Sequence, residues 1–205
     1  MPEFRTYFHQ RSNQFARFYQ SEPVARLLGR GPLFDRLRFA VEQAEAVDAR
    51  HVLDVGCGSG PLFAPLASRG IRVTGIDPAP NMVALARAEA AHIPNGMVEV
   101  QQRGWEDLLE IDTYDMAVAL GVFDYVDAPA ELLRRMGRAA SHAVGSFPAP
   151  GLRTNLRKVR YARGGVRVHG YRPRDMVRIA ADAGTRVAAR RRLGRAGYAV
   201  RFSRP

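Results

Sequence analysis

The apolar run His51-Val52-Leu53-Asp54-Val55 stops at three alternating glycines, Gly56, Gly58 and Gly60. A second run, Ile71 to Ile76, ends on Asp77, 21 residues after Gly56. This is the order strand, glycine loop, helix, strand, acid. Glycine adopts backbone conformations that a β-carbon blocks, so the loop can pass close to a ligand. A carboxylate closing the second strand can accept both hydroxyls of a ribose. The pattern therefore calls for a ligand that contains a nucleoside.

The loop also says which nucleosides fit. A dinucleotide fingerprint places glycine at the first, third and sixth loop positions. Here the third glycine arrives one place early, at Gly60, and the sixth place is Pro61. Proline suits a first helical turn, but it removes a donor that could hold pyrophosphate. A cofactor without phosphates fits better, and a nicotinamide dehydrogenase is disfavoured.

Downstream, the pattern alternates. Strands are expected at 51–55, 71–76, 97–101, 115–120 and 142–147, with helices at 61–69, 80–91 and 129–138. An earlier helix opens at Pro32 and runs to about Val47. A basic, glycine-containing stretch from 151 leads to a helix at about 173–183, then to strands near 186–193 and 197–203. Strands alternating with helices give a doubly wound α/β fold, a parallel sheet covered on both faces. Mostly apolar strands such as Met116-Ala117-Val118-Ala119-Leu120 suit that burial.

At 205 residues the chain suits one domain with a single core. No apolar run approaches the roughly 20 residues a bilayer-spanning helix needs, and the first residues lack a secretion-signal layout, so a cytoplasmic location is expected. A lone Cys57 leaves no internal disulfide and no multi-cysteine zinc site, and no metal is expected. Charge is uneven. Residues 1–150 carry 15 arginines against 18 acids, whereas residues 151–205 carry 15 arginines and Lys158 against Asp175 and Asp182. A coding bias toward arginine and an electropositive wall for an anionic partner both account for this.

Asp54-Val55-Gly56-Cys57-Gly58-Ser59-Gly60 resembles motif I of the class I S-adenosylmethionine (SAM)-dependent methyltransferases. Gly75-Ile76-Asp77-Pro78 with Asn81-Met82 resembles the family's second-strand motif. Weaker similarity continues through Val98-Glu99-Val100, Tyr114 to Val118 and Leu120 to Val126, so that it covers roughly residues 50–147. The resemblance implies a Rossmann-like sheet of seven strands, mostly parallel with the last antiparallel, and a helical N-terminal extension. Residues 1–47 would form a lid or extension and residues 48–205 the SAM-binding core.

It also implies roles. Gly56, Gly58 and Gly60 would line the amino-acid half of SAM, with Asp54 holding the ammonium directly or through the loop. Asp77, followed by Pro78, would take the ribose. Met82 would rest against adenine, and Leu120 would form the rim at the end of the fourth strand. Where family members carry an acid for the adenine amino group this chain has Gly104, so Glu106 or the Trp105 backbone would substitute. Phe123, Asp124 and Tyr125 would face the acceptor. Asp124 is the first candidate base, with His169 and His9 behind it. Tyr7, Phe8 and Tyr19 would stack on an aromatic acceptor, and Arg153, within the cations of 151–172, would pair with an anionic group.

The expected function is SAM-dependent methyl transfer to an oxygen or nitrogen of a small anionic or aromatic metabolite, releasing S-adenosylhomocysteine. An RNA methyltransferase is the alternative, using the same cations on phosphates, although no RNA-binding motif is evident. A SAM-fold protein that binds without catalysis is the third. Monomer and homodimer both stay open.

Overall fold

A computed structural model of the protein describes residues 31–94, 96–109, 111–162 and 165–205. The chain runs α1 (Gly31–Ala46), β1 (His51–Val55), α2 (Phe63–Ala67), β2 (Arg72–Asp77), α3 (Pro80–Ala90) and β3 (Val98–Gln102). A 3-10 turn (Trp105–Asp107) leads to β4 (Tyr114–Ala119), α4 (Pro129–Ala139), β5 (Ala140–Pro148), α5 (Leu152–Ala162), α6 (Pro173–Asp182), β6 (Arg186–Leu193) and β7 (Gly197–Ser203).

These strands form one sheet in the order β3-β2-β1-β4-β5-β7-β6. Every neighbouring pair is parallel except the two made by β7, which runs against both β5 and β6. The expected seven-stranded, mostly parallel sheet with a reversed last strand is what forms.

Alternate strand residues feed opposite faces, as the pleat requires. Leu53, Ala117, Ala143 and Phe202 pack with Leu132, Leu133 and Met136 of α4 and Met176 and Ile179 of α6. Val52, Val118, Val144 and Ala199 pack with Leu37, Val41 and Ala44 of α1 and Phe63 and Leu66 of α2. The result is a three-layer α/β/α sandwich. The last helix of the expected N-terminal extension, α1, is thus packed directly on the sheet, while residues 1–30 lie outside the described residues. Among the described residues no helix is long and apolar enough to cross a membrane.

Prolines start three of the helices, α3, α4 and α6, where the missing N–H costs nothing. One helix was not expected. The basic stretch after β5 folds into the 11-residue α5, amphipathic with its apolar and polar residues in helical rather than strand register.

The order of strands locates the site. β1 pairs with β2 on one side and β4 on the other, so the connections leaving β1 and β4 diverge and open a crevice beyond the carboxyl ends of the strands.

Candidate active site

A cavity of about 490 Å3 occupies that crevice, within the range of small-molecule sites. Asp54, Gly56, Gly58, Asp77, Pro78, Met82, Trp105 and Leu120 line it, so the structure brings most of the expected cofactor residues together.

Asp77, at the end of β2, is 8% exposed. Its Oδ2 accepts the Gly58 N–H at 3.0 Å and its Oδ1 accepts the Ala79 N–H at 2.9 Å. Burial raises the pKa of this carboxyl above its ordinary value, against the opposing pull of the two amides. Asp54, in β1, is 3% exposed. Burial first, and the Asp77 charge second, push its pKa up to about 7, with Arg36 pulling the other way.

The glycines differ in what they do. Gly58 has φ +55 and nothing within 4 Å of where a β-carbon would sit, which leaves room beside the loop for a ligand. Gly60 is not part of the lining. At φ +82, a β-carbon there would stand 2.5 Å from the Phe63 ring, so Gly60 serves the packing of the loop on α2. Glu106 is likewise not brought to the cavity. The 3-10 turn leaves it exposed, and its carbonyl accepts from Arg135, whose guanidinium sits 5.9 Å from the Trp105 ring.

These groups fit the ligand that the sequence resemblance implies. A carboxylate has about four lone-pair sites, so Asp77 keeps capacity for ribose hydroxyls beyond its two amides. Met82, Trp105 and Leu120 offer apolar walls, and Asp54 lies where an ammonium would offset its burial.

The same cavity continues to Asp124, Tyr125, Thr154, Arg157, Arg160 and Tyr161. The Nη2 of Arg157 donates to Asp124 Oδ2 at 2.7 Å and to the Tyr125 hydroxyl at 2.9 Å. Its guanidinium stands 5.7 Å from the ring centroids of both Tyr125 and Tyr161, which stack on each other at 5.8 Å. Burial raises the pKa of the Tyr125 phenol well above its ordinary value.

Two expected site residues belong elsewhere. Phe123 has no exposed surface. It stacks on Phe147 at 4.4 Å and fills the space that Gly145 leaves, where a β-carbon would lie 2.7 Å from its ring. It is therefore core, one residue short of the cavity. His169 does not line the cavity either. Its Nε2 lies 3.0 Å from Asp127 Oδ1, while its backbone N–H donates to the Asp124 carbonyl at 2.8 Å, so it braces the Asp124 loop through main chain. Arg153 begins α5. Tyr7, Phe8, His9 and Tyr19 lie outside the described residues.

Arg36, Thr154 and Tyr161 line the cavity but do not stand out in the sequence; Arg157 and Arg160, which also line it, stand there only as two of the several cations of 151–172. The available signal is the spacing Thr154, Arg157, Tyr161, which puts all three on one face of a helix. The charge asymmetry resolves in part. Arg191 pairs with Glu42, Arg204 with Asp112, and Arg201 donates to Gln43, whereas Arg157 and Arg160 turn to the cavity.

Known proteins resemble this chain in the same region. A family model described as a methyltransferase domain matches residues 52–142. A ubiquinone biosynthesis O-methyltransferase from Methylobacterium nodulans is 34% identical over 161 residues, covering 76% of this chain and 59% of that protein. Another from Vibrio campbellii is 31% identical over 100 residues, covering 48% of this chain and 43% of that one. The chain thus spans about half the length of these curated relatives. Magnesium protoporphyrin IX methyltransferase from Synechocystis PCC 6803, solved with bound S-adenosylhomocysteine, superimposes with a TM-score of 0.80 at 23% identity over 98% of both chains. The 1,6-didemethyltoxoflavin-N1-methyltransferase of Burkholderia thailandensis gives 0.72 at 17% identity over 99% of this chain and 87% of that one. At these identities the two structures speak for the fold.

Proposed function

The chain carries a class I SAM-dependent methyltransferase domain, and from that premise we propose that it methylates an oxygen or nitrogen of a small aromatic or anionic molecule. One observation carries the reading: a single cavity runs from the glycine loop and Asp77 to Asp124, Tyr125 and Arg157. Cofactor and acceptor would therefore meet in one continuous cavity.

When bound, SAM supplies a methyl group on a positively charged sulfur, which makes the reaction an in-line displacement. Such a reaction mainly needs alignment and exclusion of water. Asp77 fixes the sugar and the glycine loop together. Trp105, Met82 and Leu120 exclude water from the adenine end. Asp124 has Oδ2 bound to Arg157, which leaves Oδ1 to take a proton from an acceptor hydroxyl or amine. The Tyr125 and Tyr161 rings offer surfaces for a flat acceptor. An oxygen acceptor is favoured over nitrogen by the O-methyltransferase names of the sequence relatives.

The test has two arms. Titration calorimetry measures SAM and S-adenosylhomocysteine binding to the purified protein, and methyl-labelled SAM is then incubated with fractionated cell extract. Cofactor binding with label appearing in small metabolites supports the proposal. No cofactor binding, no labelled product, or label confined to RNA overturns it.

A further inference from the structure

The hydrogen bonds of Arg157 use only one of its three guanidinium nitrogens. Both N–H bonds of its Nη2 are taken, by Asp124 at 2.7 Å and the Tyr125 hydroxyl at 2.9 Å. A guanidinium carries five donors. Among the described residues, the Nε–H and the two N–H of Nη1 have no acceptor, and Arg157 lines the cavity. Arg160, almost one turn along α5, lines the same wall, its guanidinium 6.0 Å from the Tyr161 ring that Arg157 also faces. The helix itself is pinned in place at its first turn, where Thr154 Oγ1 donates to the Ala149 carbonyl at 2.6 Å.

The charge balance narrows the ligand. Asp124 neutralises Arg157, so the cluster of Asp124, Arg157 and Arg160 presents one net positive charge toward the acceptor end. A dianion such as a phosphate monoester would meet the Asp124 carboxylate with only that one cation in excess. A neutral acceptor would leave the remaining guanidinium donors without partners once water is excluded, which is costly. A monoanion matches both counts, and the stacked Tyr125 and Tyr161 rings favour a flat one.

We propose that Arg157 is the specificity-determining residue of the acceptor site, and that the acceptor is an aromatic carboxylic acid whose carboxylate binds the Arg157 donors facing the cavity. The proposal rests on the methyltransferase reading and names the substrate class for it. Asp124 then does more than accept a proton, because it also holds Arg157 in place and cancels its charge.

The probe pair is 3,4-dihydroxybenzoate and its neutral amide, 3,4-dihydroxybenzamide, titrated into the full chain with S-adenosylhomocysteine present. The acid should bind about tenfold or more tightly than the amide, as expected for a charge-assisted contact. That preference should fall to about twofold in Arg157→Gln. Arg157→Lys keeps the charge but not the donor geometry, and should retain only part of the preference. Each variant is also titrated with S-adenosylhomocysteine alone and melted, so loss of fold is visible; should Arg157→Gln not fold, Arg157→Lys carries the comparison. Equal binding of acid and amide, no binding of either, or an undiminished preference in a folded variant overturns the proposal. Absence of S-adenosylhomocysteine binding to the unaltered protein would instead sink the methyltransferase reading.

Discussion

The Asp77 carboxylate accepts the backbone N–H of Gly58 at 3.0 Å, so the acid ending β2 and the glycine loop leaving β1 form one hydrogen-bonded unit. Its second oxygen takes the Ala79 N–H at the start of α3. The residue expected to bind ribose therefore also holds the loop expected to bind the amino-acid half.

Asp77→Ala should remove both roles together. The buried Ala79 amide and the half-buried Gly58 amide lose their acceptor, at about 1–3 kcal/mol for the buried one and less for the other, and the ribose loses its carboxylate. We expect SAM affinity to fall by about 100-fold or more, with a clear drop in melting temperature. Asp77→Asn keeps one carbonyl oxygen and should retain more stability than binding. Calorimetry and melting curves on both variants separate the effects; SAM affinity unchanged in either one removes the ribose role.

Gly58 and Gly60 should respond oppositely. Gly58→Ala meets open space, so its folding cost is the left-handed backbone alone, about 1–2 kcal/mol, while the added methyl beside the cavity weakens SAM binding. Gly60→Ala drives a β-carbon into the Phe63 ring and should destabilise by several kcal/mol in line with overpacked cores. Melting temperature then ranks Gly60→Ala below Gly58→Ala. The reverse ranking would mean that the loop is not packed on α2 as described.

How much of this could be read from residues alone depends on where the signal lies. The glycine loop, Asp77 and both closing strands are legible because they are set by local rules: turn chemistry, period and proline placement. Phe123 misleads because its neighbours in sequence, Asp124 and Tyr125, do line the cavity. Which residue of such a loop turns inward depends on Gly145 across the sheet, 22 residues away. α5 is hidden because its arginines mask a helical spacing, and Arg157 gains its meaning only from Asp124, 33 residues away. Glu106 looks available until the 3-10 turn exposes it.

Phe123 gives a test of the site's boundary. As a fully buried ring stacked on Phe147, its replacement should cost stability and little else. Phe123→Leu should lower stability by roughly 1–3 kcal/mol, less than the 3–5 kcal/mol typical of removing the ring outright. Acceptor KM should stay within about twofold. A large rise in KM with normal stability would return Phe123 to the acceptor wall.

Asp54 makes the protein's pH behaviour predictable. Its folded pKa is about 7, against 3.8 for the ordinary group. Between those values the folded chain holds a proton that the unfolded chain has released. Unfolding free energy must then fall as pH rises from about 4 toward 7, and level off above. The ammonium of SAM interacts best with the ionised carboxylate, so bound cofactor pulls the pKa back down. Cofactor binding therefore weakens as pH drops below 7, by up to about tenfold per pH unit. Melting of the free protein from pH 5 to 8, and SAM titrations from pH 5.5 to 7, should show these opposite slopes. In Asp54→Asn both slopes should flatten, SAM binding should be weak throughout, and the free protein should melt higher than the parent at pH 8. If SAM affinity in the parent is flat across that range, Asp54 does not face the ammonium.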